Sequence, residues 1–219
     1  MRSVRLTGHL EDNKARRLDA ELATTYQCVA LRFFQEEFDM MIETERLCLR
    51  ELTPDDYEAL YAVLADSDIM QHYPYTFDEA RVRRWIIRNI ERYEQDGFGL
   101  WAVVLKETGE MIGDCGITMQ NIHGTMLPEI GYHIRKNQQR KGYASEAAAA
   151  CIRYAFENYD FPAVYSYMKY TNVASYSTAM KNGMRFIEEY EDPDNIYTRV
   201  YAITREEWEK IHDKRNKTL

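Results

Sequence analysis

Hydrophobic and polar positions alternate over residues 46–52, where Leu47 and Leu49 share one face, the pattern of a half-buried strand. Thr53-Pro54-Asp55-Asp56 then supplies a capping hydroxyl, a proline for the first helical position and acids for the first turn, so a helix should start there. Residues 78–93 place Val82, Trp85, Ile86, Ile90 and Tyr93 at helical spacing, which predicts a second helix. Residues 98–105 and 111–118 read as strands joined by a hairpin turn at Glu107-Thr108-Gly109-Glu110, and residues 127–134 as a further strand. A basic loop over 135–141 leads into an alanine-rich helix over 144–159. The remainder predicts a strand over 163–170, a helix over 173–182 ended by Gly183, and a closing hairpin of 185–190 with 197–203. A last helix begins at Thr204. The order is that of an α/β domain on a mixed sheet.

Residues 1–40 do not share this pattern. Leu18, Leu22, Val29 and Leu31 only weakly trace a helical face beside the charged stretch from Glu11 to Arg17. This segment reads as an N-terminal extension, helical or partly disordered, or as an upstream translation start, because Met40-Met41 falls where the domain of residues 41–219 begins. Hydrophobic residues make up 45% and charged residues 29%, which fits a globular domain, and the net charge of -8 argues against nucleic acid or an anionic membrane as partner. No apolar run approaches the ~18 residues of a membrane span, and no secretory signal opens the chain, so the cytoplasm is the expected location. Cys28, Cys48, Cys115 and Cys151 form no CxxC pair and no ligand spacing, so no metal is expected.

Gln139-Arg140-Lys141-Gly142-Tyr143-Ala144-Ser145-Glu146 lies between a predicted strand and the alanine-rich helix. A helix start offers unpaired amides and the positive dipole end. Gly142 allows close backbone approach, Ala144 adds little bulk, and Arg140 and Lys141 add charge. This fits a diphosphate, but it fits a capped basic loop as well. The spacing is neither the GxxxxGK[ST] of a Walker loop nor the GxGxxG of a dinucleotide fold.

Gln139-x-x-Gly142-x-Ala144 resembles the [QR]xxGx[GA] acyl-CoA signature of the GNAT N-acetyltransferases. Met41-Ile42-Glu43-Thr44-Glu45-Arg46-Leu47 with Leu49-Arg50, Glu129-Ile130-Gly131-Tyr132, and Asn172-x-x-Ser175 with Lys181-Asn182-Gly183-Met184 resemble elements of its branch of ribosomal-protein N-terminal acetyltransferases. The resemblance runs in order over residues 41–204. It implies a GNAT fold, a mixed and mostly antiparallel central sheet splayed at the fourth and fifth strands and flanked by helices. It further implies acetyl-CoA as cosubstrate and, as partner, a small-molecule amine or a protein or peptide N-terminus. Monomer and homodimer stay equally open.

Carried over residue by residue, the resemblance puts the CoA pyrophosphate on the amides of Arg140, Lys141, Gly142, Tyr143, Ala144 and Ser145, with Gln139 opening the turn. The pantetheine arm would pair with main chain at His133, Ile134 and Arg135 and with the side chain of Asn172. Glu129 is the candidate general base, directly or through water, or else it pairs with an arginine and orders the strand. A carboxylate of ordinary pKa, about 4, is a poor base for an amine of roughly 8 to 10, so burial or a relay is needed. Many family members place a tyrosine seven residues after this asparagine, where this chain has Ala179. Ser175, the serine of the branch, is then the candidate acid at the thiolate, or a helix cap, and Tyr176 is a neighbouring phenol. Tyr73 and Tyr75 could wall the acceptor site, or pack on the sheet. Trp85 and Trp101 read as core, and His123 has no partner legible in the sequence. A catalytically silent acyl-CoA-binding domain is the competing reading of the whole.

Overall fold

The computed structural model describes residues 40–216. Eight strands form one sheet in the order β1-β2-β3-β4-β5-β6-β8-β7. They are β1 (Met40–Glu43), β2 (Leu47–Arg50), β3 (Leu100–Leu105), β4 (Met111–Ile122), β5 (Thr125–Ile134), β6 (Ala163–Lys169), β7 (Arg185–Asp192) and β8 (Ile196–Thr204). The helices are α1 (Tyr57–Leu64), α2 (Glu79–Gln95), α3 (Tyr143–Asn158), α4 (Val173–Lys181) and α5 (Arg205–Asn216). The extension expected over residues 1–40 lies outside the described residues up to Met40, which opens β1. That strand is absent from the sequence pattern because its four residues, MMIE, show no alternation.

Pairs along the sheet are antiparallel except β5 with β6, which run parallel. The crossover between those two strands contains α3. Strands β4 and β5 are longer than their hydrophobic runs suggest. They turn at His123 and Gly124, whose φ values of 48 and 84° are those of a tight hairpin.

Successive strand residues face opposite sides of the sheet, so β4 and β5 carry two different surfaces. Cys115, Ile117, Ile130 and Ile134 pack with Ala147, Ala148, Cys151, Ile152 and Ala155 of α3 in the main core. Small alanines let that helix lie close to the sheet. On the other side Asp114 meets Trp85 of α2, so Trp85 is a hydrogen-bonding residue as well as a packing one. Trp101 is buried, as expected. No helix among the described residues is long and apolar enough to cross a membrane, and no group of three or more His, Cys, Asp or Glu there could hold a metal ion.

Candidate active site

Strands β5 and β6 share a single register pair, Glu129 opposite Tyr165, whereas β4 and β5 stay paired from Ile122–Thr125 to Gly113–Ile134. Past Glu129 the parallel strands part, and one side of β5 is left without a strand neighbour. Which amides face that gap follows from ladder alternation. The Arg135 N–H donates to the Ile112 carbonyl at 2.8 Å, so the main chain of His133 and Arg135 turns to β4. The main chain of Tyr132 and Ile134 turns to the gap, where the Ile134 carbonyl accepts from Gln139 Nε2 at 2.9 Å. This corrects the sequence expectation at two of its three positions. Ile134 presents main chain to the gap, and His133 and Arg135 do not. The Arg135 guanidinium is also engaged, by Glu110 and by the Met111 carbonyl.

The turn before α3 is shaped by left-handed backbone at Arg140 (φ 61°) and Gly142 (φ 89°). The first helical bond runs from Glu146 N–H to the Gly142 carbonyl at 3.0 Å. Among the described residues the amides of 140 to 145 have no backbone acceptor, which leaves a row of donors at the positive end of a 16-residue helix. The turn is pinned from the connection between β1 and β2, through contacts the sequence reading did not single out. Glu146 accepts from the Thr44 hydroxyl (2.6 Å), the Arg46 amide (2.9 Å) and Arg46 Nε (2.7 Å). Arg46 Nη1 donates to the Lys141 carbonyl at 3.0 Å, and its guanidinium lies 4.5 Å from the Tyr143 ring centre. Burial works against the Glu146 carboxylate, but these donors together hold its pKa below the ordinary value. The signal was present in Thr44-x-Arg46 and in the acid of the first turn, but nothing in the sequence says that they meet.

The cap of α4 is Asn172, not Ser175. Asn172 Oδ1 accepts the Ser175 N–H at 3.1 Å, which leaves its Nδ2 for a ligand. The Ser175 hydroxyl is 3.3 Å from Tyr132 Oη, which also donates to the Ser175 carbonyl at 2.8 Å. Burial pushes the Tyr132 phenol up to about 12. The phenol brought to Ser175 is therefore Tyr132. Tyr176 is turned away, its ring stacked on Tyr201 at 6.0 Å, because α4 buries that face against the core.

These parts border one cleft of about 760 Å³. Its lining joins the turn from Gln139 to Ser145, Lys141 excepted, with Tyr132, Asn172 and Ser175 and with Tyr73, Tyr75, Tyr167 and Tyr190. Tyr75 packs on Phe77 and under Arg81, so its ring serves both packing and wall. His123 finds the partners its sequence did not reveal, Glu188 at 3.2 Å and the stacked ring of Tyr190.

Beside the cleft, the sheet face under α2 carries a polar strip of cross-strand pairs, Thr118 with Glu129, Gly116 with Gly131, and Asp114 with His133. Glu129 is not part of the cleft lining. It accepts from the Thr118 hydroxyl at 3.0 Å, and burial, against that hydrogen bond and the fields of His133 and Arg92, raises its pKa from 4.5 to about 7. His133 Nδ1 is 2.7 Å from Asp114 Oδ1, Trp85 Nε1 donates to Asp114 Oδ2 at 2.8 Å, and Tyr73 Oη is 2.7 Å from His133 Nε2. Burial opposes charge on the imidazole, but the Asp114 carboxylate outweighs it and raises the His133 pKa. Sequence reasoning chose His133 for its main chain and missed its side chain. Only the register of β4 on β5 brings Asp114 to it.

A gap that can take an extended arm, with free amides at its mouth and a carboxyl poised near neutrality beside it, suits acyl transfer. The similarities agree. The family model described as "Acetyltransferase (GNAT) domain" matches residues 46–185. The uncharacterized N-acetyltransferase YnaD of Bacillus subtilis is 31% identical over 77% of this chain and 99% of its own. A GNAT-family acetyltransferase structure from Bacillus anthracis superposes with a TM-score of 0.66 at 27% identity, covering 75% of this chain and 98% of that one. The structure of RimL, a ribosomal L7/L12 alpha-N-protein acetyltransferase in complex with coenzyme A, has the same fold (TM-score 0.62, 19% identity, 74% of this chain and 95% of that one). By matched sequence over most of its length and by fold, this chain belongs to the GNAT acetyltransferase family.

Proposed function

We propose that the chain moves an acetyl group from acetyl-CoA to a primary amine, either a protein N-terminal α-amine or a small-molecule amine, by direct attack in a ternary complex. The parting of β5 from β6 beside the α3 amides carries this reading. The amides of 140 to 145 would hold the pyrophosphate. The main chain of Tyr132 and Ile134 would pair with the pantetheine arm, and Asn172 Nδ2 would add a donor. This sets the thioester near the polar strip, where Glu129, directly or through water, accepts the proton that the amine loses as the C–N bond forms. A pKa of about 7 makes Glu129 a far better base than an ordinary carboxylate. At the leaving sulfur, Ser175 and Tyr132 share a proton-donating hydroxyl pair. No residue of this scheme requires a metal.

The test is a screen of amines and N-terminal peptides with acetyl-CoA, read by release of free thiol. Turnover on one class identifies the acceptor. Tight acetyl-CoA binding with no thiol release across the panel would instead mark a silent acyl-CoA-binding domain. Glu129 favours the enzyme, because a binding module needs only the turn.

A further inference from the structure

Tyr73, His133 and Asp114 form a continuous hydrogen-bonded chain from the cleft wall into the sheet. Asp114 is fully buried, and Trp85 Nε1 occupies its second oxygen, so the carboxylate cannot rotate away from the imidazole. Ionised, it only accepts, so His133 Nδ1 must carry the hydrogen between them. When the imidazole is neutral, His133 Nε2 then holds a lone pair and accepts from the Tyr73 hydroxyl; the imidazolium that Asp114 favours would instead donate to Tyr73. Tyr73 itself is 36% exposed and lines the cleft, while burial raises its phenol well above the ordinary value, so it passes a proton on rather than resting as a phenolate. The remaining charge near His133 is Glu129 on the same face of β5. Gly131 and Gly116 lie between them, and a Cβ at Gly131 would sit 3.1 Å from Glu129 Oε2 and 3.5 Å from Leu100 Cδ2.

An alkylamine arrives as an ammonium ion and must lose one proton before it can attack and a second once the C–N bond has formed. Glu129 serves the second loss in the scheme above. We propose that Tyr73, with His133 and Asp114 behind it, serves the first and is a catalytic residue for acceptors that arrive protonated. This rests on the acetyltransferase reading. The ammonium N–H proton passes to Tyr73 Oη as the phenol's own proton passes to His133 Nε2. The amine keeps the bonding pair as its nucleophilic lone pair, and the positive charge comes to rest on the imidazolium against Asp114. After product leaves, the same route returns the proton to water. His133 and Asp114 are positioning residues that act through Tyr73.

A chain of hydrogen bonds that merely tied the loop to the sheet would not distinguish one acceptor from another. The test therefore compares the best alkylamine from the thiol-release screen with the aminooxy analogue of the same alkyl chain, which is already neutral at the assay pH. Tyr73→Phe keeps the ring and removes the hydroxyl. It should lower turnover of the alkylamine by about 10²-fold, leave the aminooxy analogue within about twofold, and leave acetyl-CoA affinity unchanged in calorimetry. Asp114→Asn should show the same selectivity and lower the His133 titration midpoint followed by NMR. Equal loss with both acceptors, or no loss with either, would overturn the relay while wild-type turnover keeps the acetyltransferase reading. Absence of wild-type thiol release with either amine would overturn both.

Discussion

Glu129 illustrates how a residue can be chosen by its neighbours in sequence yet have its chemistry set elsewhere. Its position in Glu129-Ile130-Gly131-Tyr132 is legible in the chain, but the burial that moves its pKa to about 7 is not. Two consequences can be measured. If Glu129 is the base, kcat/KM should rise with pH through about 7, and Glu129→Gln should remove that limb and lower turnover about 10²-fold or more with little change in acetyl-CoA affinity. Equal rates across the pH range would exclude it. The same shift bears on stability. The folded state binds this proton more tightly than the unfolded chain. The associated stabilisation is complete below 4.5 and is lost as pH rises through about 7. Glu129→Gln cannot ionise, so it should melt above the wild type at mildly alkaline pH and with it at acid pH. Coincident melts at both would show that burial does not perturb the carboxyl. Tyr73 and His133 stand at the opposite extreme. The sequence singled out Tyr73 as a wall and His133 for its main chain, and only the structure brings their side chains together.

At the scale of the element, the turn between β5 and α3 was readable because its requirements are local. A left-handed position wants glycine, the helix start leaves amides free, and small residues admit a ligand. Gly142 meets the first requirement with φ 89°. Gly142→Glu adds both backbone strain and an anion to the cradle, so calorimetry should find CoA binding abolished, and unchanged affinity would refute the assignment. The pin from the β1–β2 connection was unreadable because Arg46 and Glu146 are 100 positions apart in the chain. Arg46→Ala would leave the Lys141 carbonyl and Glu146 without their shared donor and loosen the turn. We expect roughly tenfold weaker CoA binding, about 1.4 kcal/mol, with the melting temperature little changed because Arg46 is partly exposed. An unaltered affinity would mean that the turn holds its shape unaided.

For the molecule as a whole, the parted sheet makes a prediction specific to individual amides. His133 and Arg135 face β4 and should exchange slowly with or without ligand, whereas Tyr132 and Ile134 face the gap. Addition of CoA should slow exchange at Tyr132 and Ile134 selectively, as a new strand-like neighbour takes up their hydrogen bonds. Uniform protection, or none, would mean that the arm lies elsewhere. The same binding should raise the thermal stability of the domain, by about 2.7 kcal/mol at a hundredfold excess over Kd.

Glu129 was chosen through the family resemblance, whereas the amino-acid sequence by itself determined the strand and helix order and the glycine-bearing basic turn before α3. These depend on periodicity, capping and residue type over short stretches, which the chain displays directly. Met40–Glu43 shows no apolar–polar alternation, so only its resemblance to the family's opening strand pointed to it. Tertiary structure alone decided which strand amides face the gap, which phenol meets Ser175, and that Tyr73, His133 and Asp114 join. Those outcomes follow from ladder register and from loop placement, where a shift of one residue turns every side chain to the other face. No local pattern fixes that register. It is set by how Cys115, Ile117, Ile130 and Ile134 pack beneath α3.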